Sequence, residues 1–281
     1  MKVGINVLLW TAAADDSHKA LLDQIKQWGY DGFELPMFDP DCSPWNDLGK
    51  HADDLGLERT AVTIVQPEAN PVSEDASVRQ AGLDHLKRCI DQCVKGGMTA
   101  LVGPLYSPCG HLVGRPPSDE ELRYAAEVLS DAADHADSAN IDLAVEPLNR
   151  FETYVLNSMS DAVRLVETIN KPRLGVLFDS FHANIEEKQI DQAIKVGGKH
   201  IRHVHISEND RSTPGAGHVP WQEVFASLKG IGYDGWLTIE AFGRALPEVA
   251  AATCIWRPMF ESEEMLAVDG LKHIRESWSG A

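Results

Sequence analysis

Eight short apolar runs, rich in β-branched residues, recur along the chain, and each is followed by a longer segment whose apolar residues return every three or four positions. The runs occupy residues 3–10, 32–38, 59–65, 100–106, 142–148, 174–180, 201–207 and 236–242. Runs of this length predict buried strands. The segments between them, such as HKALLDQIKQWGY, SVRQAGLDHLKRCIDQCV, ELRYAAEVLSDAADHADSAN and DAVRLVETIN, predict amphipathic helices. Repeated βα units with no linker, low-complexity tract or break in composition predict an α/β fold, a single (β/α)8 TIM barrel over residues 1–281. Gly29, Gly56, Gly97 and Gly232 stand where helices should stop, and Ser118 and Ser160 where N-caps should start them. An open doubly wound sheet would want a glycine-rich first βα turn, and LLWTAAADDSHK contains no glycine.

Composition narrows the partners. With 25 basic and 43 acidic residues the chain carries a formal charge of -18, which repels phosphate backbones and anionic lipid, so neither nucleic acid nor membrane is an expected partner. No apolar stretch approaches the length of a membrane span, and MKVGINVLLWTAAADD reads as the start of a mature soluble chain. The 5 cysteines are odd in number, and the one close pair, Cys89 and Cys93, falls in a helical pattern. Reduced thiols and a cytoplasmic location are expected.

In a barrel the active site forms at the C-terminal ends of the strands. There the last four runs end in Glu146, Asp179, His205 and Glu240, each about one βα unit after the one before, whereas the first four end in Trp10, Phe38, Val65 and Tyr106. Acids gathered on one half of a rim repel one another unless a cation sits among them. Three carboxylates and an imidazole suit Mn²⁺, Mg²⁺ or Co²⁺ better than zinc, which more often recruits Cys or further His. Two carboxylates on opposite sides of a carbon acid can remove a proton from one face and return it to the other. A divalent ion would lower the cost of the developing negative charge by several kcal/mol. The loops just past these strands add Arg150, Glu152, His182, Glu208 and Arg211, of which Arg150 and Glu208 are equally readable as ordinary ion-pair partners. In HVHISENDRSTPGAGHVPW, alternation puts His203 and His205 on one inward face, with His205 nearer the rim, and leaves His218 in a loop, where capping or solvent contact is expected.

The segments EPLNRFE, FDSFHANIEE, HVHISENDRSTPGAGHVPW, IGYDGWLTIEAF and WRPM resemble the ketose 3-epimerases, the D-tagatose/D-psicose/L-ribulose 3-epimerase family of the xylose isomerase-like TIM barrels. The resemblance implies that Glu146, Asp179, His205 and Glu240 hold a Mn²⁺, with Mg²⁺ or Co²⁺ as substitutes. It implies that Glu146 and Glu240 epimerise a free ketose at C3 through a cis-enediolate, and that Glu152, His182 and Arg211 bind the O1 to O3 end of the sugar. It also implies a homodimer or homotetramer. The apolar segment TCIWRPMF (253–260) fits a subunit contact or a cover for the barrel bottom. Asn6 stands where related sequences often carry an aromatic residue against the far end of the sugar. With Trp10 and Tyr106 it completes the candidate substrate contacts, although rim aromatics are as often packing. A hydroxypyruvate isomerase-like or inosose dehydratase-like enzyme could share the metal set. A DNA-repair phosphodiesterase on the same barrel would want more histidines and a basic groove, and a sugar-binding barrel without chemistry would lack one of the two glutamates.

Overall fold

The computed structural model describes residues 1–42 and 45–281. In chain order the strands are β1 (Lys2–Asn6), β2 (Gly32–Pro36), β3 (Glu58–Val62), β4 (Ala100–Gly103), β5 (Asp142–Val145), β6 (Leu174–Asp179), β7 (Ile201–Ile206) and β8 (Trp236–Ile239). All neighbours pair in parallel, and β8 pairs with β1 to close the barrel. Around them run α1 (Lys19–Trp28), α2 (Trp45–Leu55), α3 (Ala76–Gly96), α4 (Asp119–Ala139), α5 (Met159–Ile169), α6 (Ser180–Glu186), α7 (Ile190–Gly197), α8 (Trp221–Gly230), α9 (Pro247–Ala252) and α10 (Glu263–Gly280).

Each strand begins within one residue of its predicted start and leaves the ladder one to four residues early. The overrun is physical. The chain past a ladder stays apolar and buried while turning toward the next helix. After β1 the Asn6 side chain accepts the Leu8 amide and folds residues 7–9 into a 3₁₀ turn. β4 stops at Gly103, whose φ of 124° and contact with the Thr63 carbonyl leave no room for a Cβ.

Helix ends follow the expected chemistry with one correction. Gly29 and Gly97 are left-handed C-caps, Gly56 and Gly232 take positive φ just after α2 and α8, and Ser118 caps α4 in a reciprocal box with Glu121. Ser160 is not a cap. Ser158 caps α5 with Asp161 as its box partner, and Ser160 lies in the first turn. Both serines precede an acid, and only the backbone, extended at Ser158, decides between them.

Outward-facing strand residues such as Ile5, Phe33, Leu143, Phe178, Val204 and Ile239 pack under the helices in one large core. The inward faces divide. From β3 to β6 they are small and apolar, with Val62, Ala100, Val102, Ala144 and Leu177 forming a cluster of their own. From β7 round to β3 they carry His203, His205, Thr238, Asn6, Glu34 and Thr60, all buried. Above the apolar cluster Glu146 follows β5 and Asp179 ends β6, so the polar rim spans both halves.

Candidate active site

Asp179 and His205 are register partners at the ends of β6 and β7. Glu146 and Glu240 each stand one residue past a ladder and continue it through their amides, to the Gly103 carbonyl at 3.0 Å and the Ile206 carbonyl at 3.2 Å. Four strands thus bring Glu146, Asp179, His205 and Glu240 to one level of the rim, with donor atoms all within 4.8 Å of one another. His205 Nδ1 faces the acids, 3.4 Å from Glu240 Oε1, 3.7 Å from Asp179 Oδ2 and 3.9 Å from Glu146 Oε1.

The cluster fits a divalent cation. Among the described residues, Glu146 Oε1 and His205 Nδ1 are buried and lack any hydrogen-bond partner, and both are turned into it. Orphaned buried polar atoms are costly, and a cation would satisfy them. The electrostatics agree. Burial, followed by the charge of Glu240, pushes Glu146 well above the usual carboxylate range. Burial acts the same way on Asp179, but the Arg211 guanidinium overcomes it and holds that carboxyl well below its ordinary value. Burial works against a charged His205, while Glu240 and Glu34 hold its pKa well above the ordinary value.

Arg211 enters from the loop after β7. Its φ is 61°, a left-handed conformation that a residue with a Cβ adopts only when its surroundings impose it. Nη1 donates to Asp179 Oδ2 at 2.9 Å, Ser207 Oγ at 2.9 Å and Glu240 Oε2 at 2.7 Å. The guanidinium lies over Phe181 at 3.9 Å and Phe242 at 5.0 Å. Glu208 shapes the loop. Fully buried, its carboxylate accepts the amides of Asn209, Gly215 and Val219 and the Trp221 indole N–H, at 2.8 to 3.1 Å. It is a loop hub and not an ion-pair partner. Arg150 does pair, through Nη2 to Glu186 at 2.8 Å.

His182, in the first turn of α6, accepts the Asn149 amide on Nδ1 at 3.1 Å. That assigns the proton to Nε2, which lies 3.0 Å from Arg211 Nη2 and 3.6 Å from Glu146 Oε1. Burial brings its pKa down to about 3, so the ring is neutral. His182 Nε2–H and Arg211 Nη2 are therefore two adjacent donors suited to an acceptor oxygen. Glu152 accepts the Asn149 side-chain amide at 2.7 Å and is half-buried beside them.

The xylose isomerase-like TIM barrel family model matches residues 22–276. The Synechocystis sp. protein named "Probable ketose 3-epimerase" is 32% identical over 278 residues, 99% of this chain and 97% of that one. This chain belongs to the ketose 3-epimerase family. The ketose 3-epimerase of Arthrobacter globiformis is 30% identical, covering 98% of this chain and 96% of its own. The structure of the Methylomonas sp. D-allulose 3-epimerase in complex with D-allulose superposes with a TM-score of 0.94 at 25% identity, over 99% of this chain and 97% of that one.

In this ketose 3-epimerase family member the remaining candidate contacts have protein neighbours of their own. Trp10 stacks on Trp28 with ring centroids 6.0 Å apart. Tyr106 is fully buried and donates to the Leu156 carbonyl at 3.3 Å. Asn6 is buried below the rim, donating to Glu34 at 3.1 Å and Glu240 at 3.4 Å. His218 is exposed, its backbone amide donating to Asn209. The 253–260 segment follows α9, and Ile255 and Met259 pack with Leu8, Phe38 and Phe242 near the ends of β1, β2 and β8. It sits on the active-site face, so the bottom-cover reading is excluded by its neighbours. Sequence reading missed Glu34, Ser207, Phe181 and Phe242. Only Glu34 left a signal, as a lone acid inside the apolar run GFELPMF.

Proposed function

We propose that this protein epimerises free ketoses at C3 with a divalent ion, Mn²⁺ by family resemblance and Mg²⁺ or Co²⁺ as substitutes, held by Glu146, Asp179, His205 and Glu240. The observation that carries the reading is the convergence of Glu146 and Glu240, from strands three apart round the barrel, on one ligand cluster in a chain of this family. When bound, the ion supplies Lewis-acid stabilisation for the negative charge that develops as the C–H beside the ketone is lost. The protein's own residues do the rest. One glutamate takes the C3 proton from one face, and the other delivers a proton to the opposite face. His182 Nε2–H and Arg211 Nη2 hold the sugar oxygens next to the reacting carbon, and Glu152 accepts from a sugar hydroxyl. Asn6, Trp10 and Tyr106 shape the wall, with the polar groups of Asn6 and Tyr106 already bonded within the protein. The small-molecule substrate is the partner, and assembly into a homodimer or homotetramer is proposed with the family.

Incubation of D-fructose, D-tagatose, D-psicose and L-ribulose with the Mn²⁺-loaded protein, followed by chromatography, tests the reading. At least one ketose is expected to give its C3 epimer, and chelation should abolish the product. Isomerisation to an aldose or loss of water, with no C3 epimer, would favour the hydroxypyruvate isomerase-like or inosose dehydratase-like chemistry instead.

A further inference from the structure

Glu34 is the least expected group in the barrel. It sits mid-strand in β2, fully buried, with Asn6 of β1 and Thr60 of β3 as its register partners on either side. Its two oxygens meet three donors and the His203 ring. Oε1 faces His205 Nε2 at 2.8 Å and Asn6 Nδ2 at 3.1 Å. Oε2 accepts from Thr60 Oγ1 at 2.8 Å and lies 2.9 Å from His203 Nε2, out of line for a hydrogen bond. Glu34, His203 and His205 also have the composition and spacing of a second metal cluster. The hydrogen bonds decide against that role, because His205 Nε2 and Asn6 Nδ2 take up Oε1, Thr60 Oγ1 takes one side of Oε2, and a ring nitrogen that donates is not a ligand.

The Asn6 orientation is fixed independently. Its Oδ1 accepts the Leu8 amide at 2.9 Å, so Nδ2 must be the atom that reaches Glu34 Oε1 and Glu240 Oε1. Asn6 therefore bridges two carboxylates, Glu34 below the rim and Glu240 on it, and His205 stands between the same two. A buried carboxylate costs several kcal/mol to desolvate, so this one needs a reason to be there.

We propose that Glu34 and Asn6 are positioning residues for the metal ligands. Glu34 holds the proton of His205 on Nε2, leaving Nδ1 bare and aimed at Glu146, Asp179 and Glu240, while Asn6 sets the Glu240 carboxylate relative to that ring. Outer partners of this kind change metal affinity by about 10- to 100-fold when removed. The inference rests on the proposed metal site.

The test is calorimetric titration of the metal-free protein with Mn²⁺, for the parent, Glu34→Gln and Asn6→Ser. Ser at position 6 can still accept the Leu8 amide but no longer reaches the carboxylates. Glu34→Gln is expected to weaken Mn²⁺ binding by about 10- to 100-fold, and Asn6→Ser by a smaller factor with kcat falling more than KM. In the Mg²⁺-loaded form, long-range ¹H–¹⁵N spectra of the parent should show His205 protonated on Nε2, and Glu34→Gln should blur that pattern. Asn6→Ser keeps the experiment informative if Glu34→Gln does not fold. Mn²⁺ affinities within twofold of the parent in folded variants, or His205 protonated on Nδ1, would overturn the positioning role while leaving the proposed reaction intact. A parent that binds no Mn²⁺ would overturn both. A parent that binds Mn²⁺ but epimerises no ketose would leave the positioning role to be judged by the variants and would remove the proposed reaction.

Discussion

His182 shows how one residue couples the site to pH. Burial holds its pKa at about 3 against an ordinary 6.5, so below 6.5 the unfolded chain binds a proton that the folded ring refuses. Stability from this residue is therefore present above 6.5 and is lost as pH falls from there toward 3. In His182→Asn, whose side-chain oxygen can still accept the Asn149 amide, the metal-free protein should melt with a shallower decline between pH 7 and pH 4. An unchanged slope would mean that His182 is charged in the folded state. Sequence reading found His182 because it follows a strand-end acid in FDSFH, and it could not find the pKa, which is set by the cavity. It placed Asn6 on the wall of the site from family pattern alone. The side chain reaches down to Glu34 and across to Glu240, because the 3₁₀ turn after β1 claims its oxygen. Glu34 escaped notice since a single acid in a strand does not reveal which buried partners face it.

Among elements, the loop from Glu208 to Trp221 does most to set the site, because it carries Arg211 in a conformation that only its closure explains. Glu208 gathers four N–H groups, and Gly217 lets the loop close, since a Cβ there would collide with Asn209 and Glu208. Glu208→Gln would turn an amide donor against two of those N–H groups. It should cost about 1–3 kcal/mol in urea unfolding and raise KM for the sugar more than it lowers kcat. Unchanged stability would show that the carboxylate is not what closes the loop. The position of this loop was legible from PGAGHVPW, but not the role of Glu208, whose partners lie up to thirteen residues along the chain and meet only once it folds. Strand starts were legible and strand ends were not. Apolar patterning reports burial, which continues past the last ladder bond, so the rim lies closer to the ladder ends than the runs suggested.

At the scale of the molecule, the barrel count and closure followed from alternation alone, and the family from motifs that recur in order. What the pattern concealed is the division of the interior. Below the rim the inward faces from β3 to β6 form a small apolar cluster and those from β7 round to β3 a buried polar network, and the two meet at the rim, where Glu146 and Asp179 join His205 and Glu240. That asymmetry is invisible in hydrophobic patterning, because both halves are equally buried. No helix among the described residues is long and apolar enough to cross a membrane. The central claim is that Glu146 and Glu240 exchange a proton at C3 of a ketose, and isotope wash-in reads this directly. The Mn²⁺-loaded protein, incubated in D₂O with the ketoses named above, should place deuterium at C3 of at least one of them. At saturating Mn²⁺, Glu240→Gln should slow that exchange by about 10²- to 10⁴-fold. No deuterium at C3 of any ketose, or exchange at the parent rate in Glu240→Gln, would contradict it.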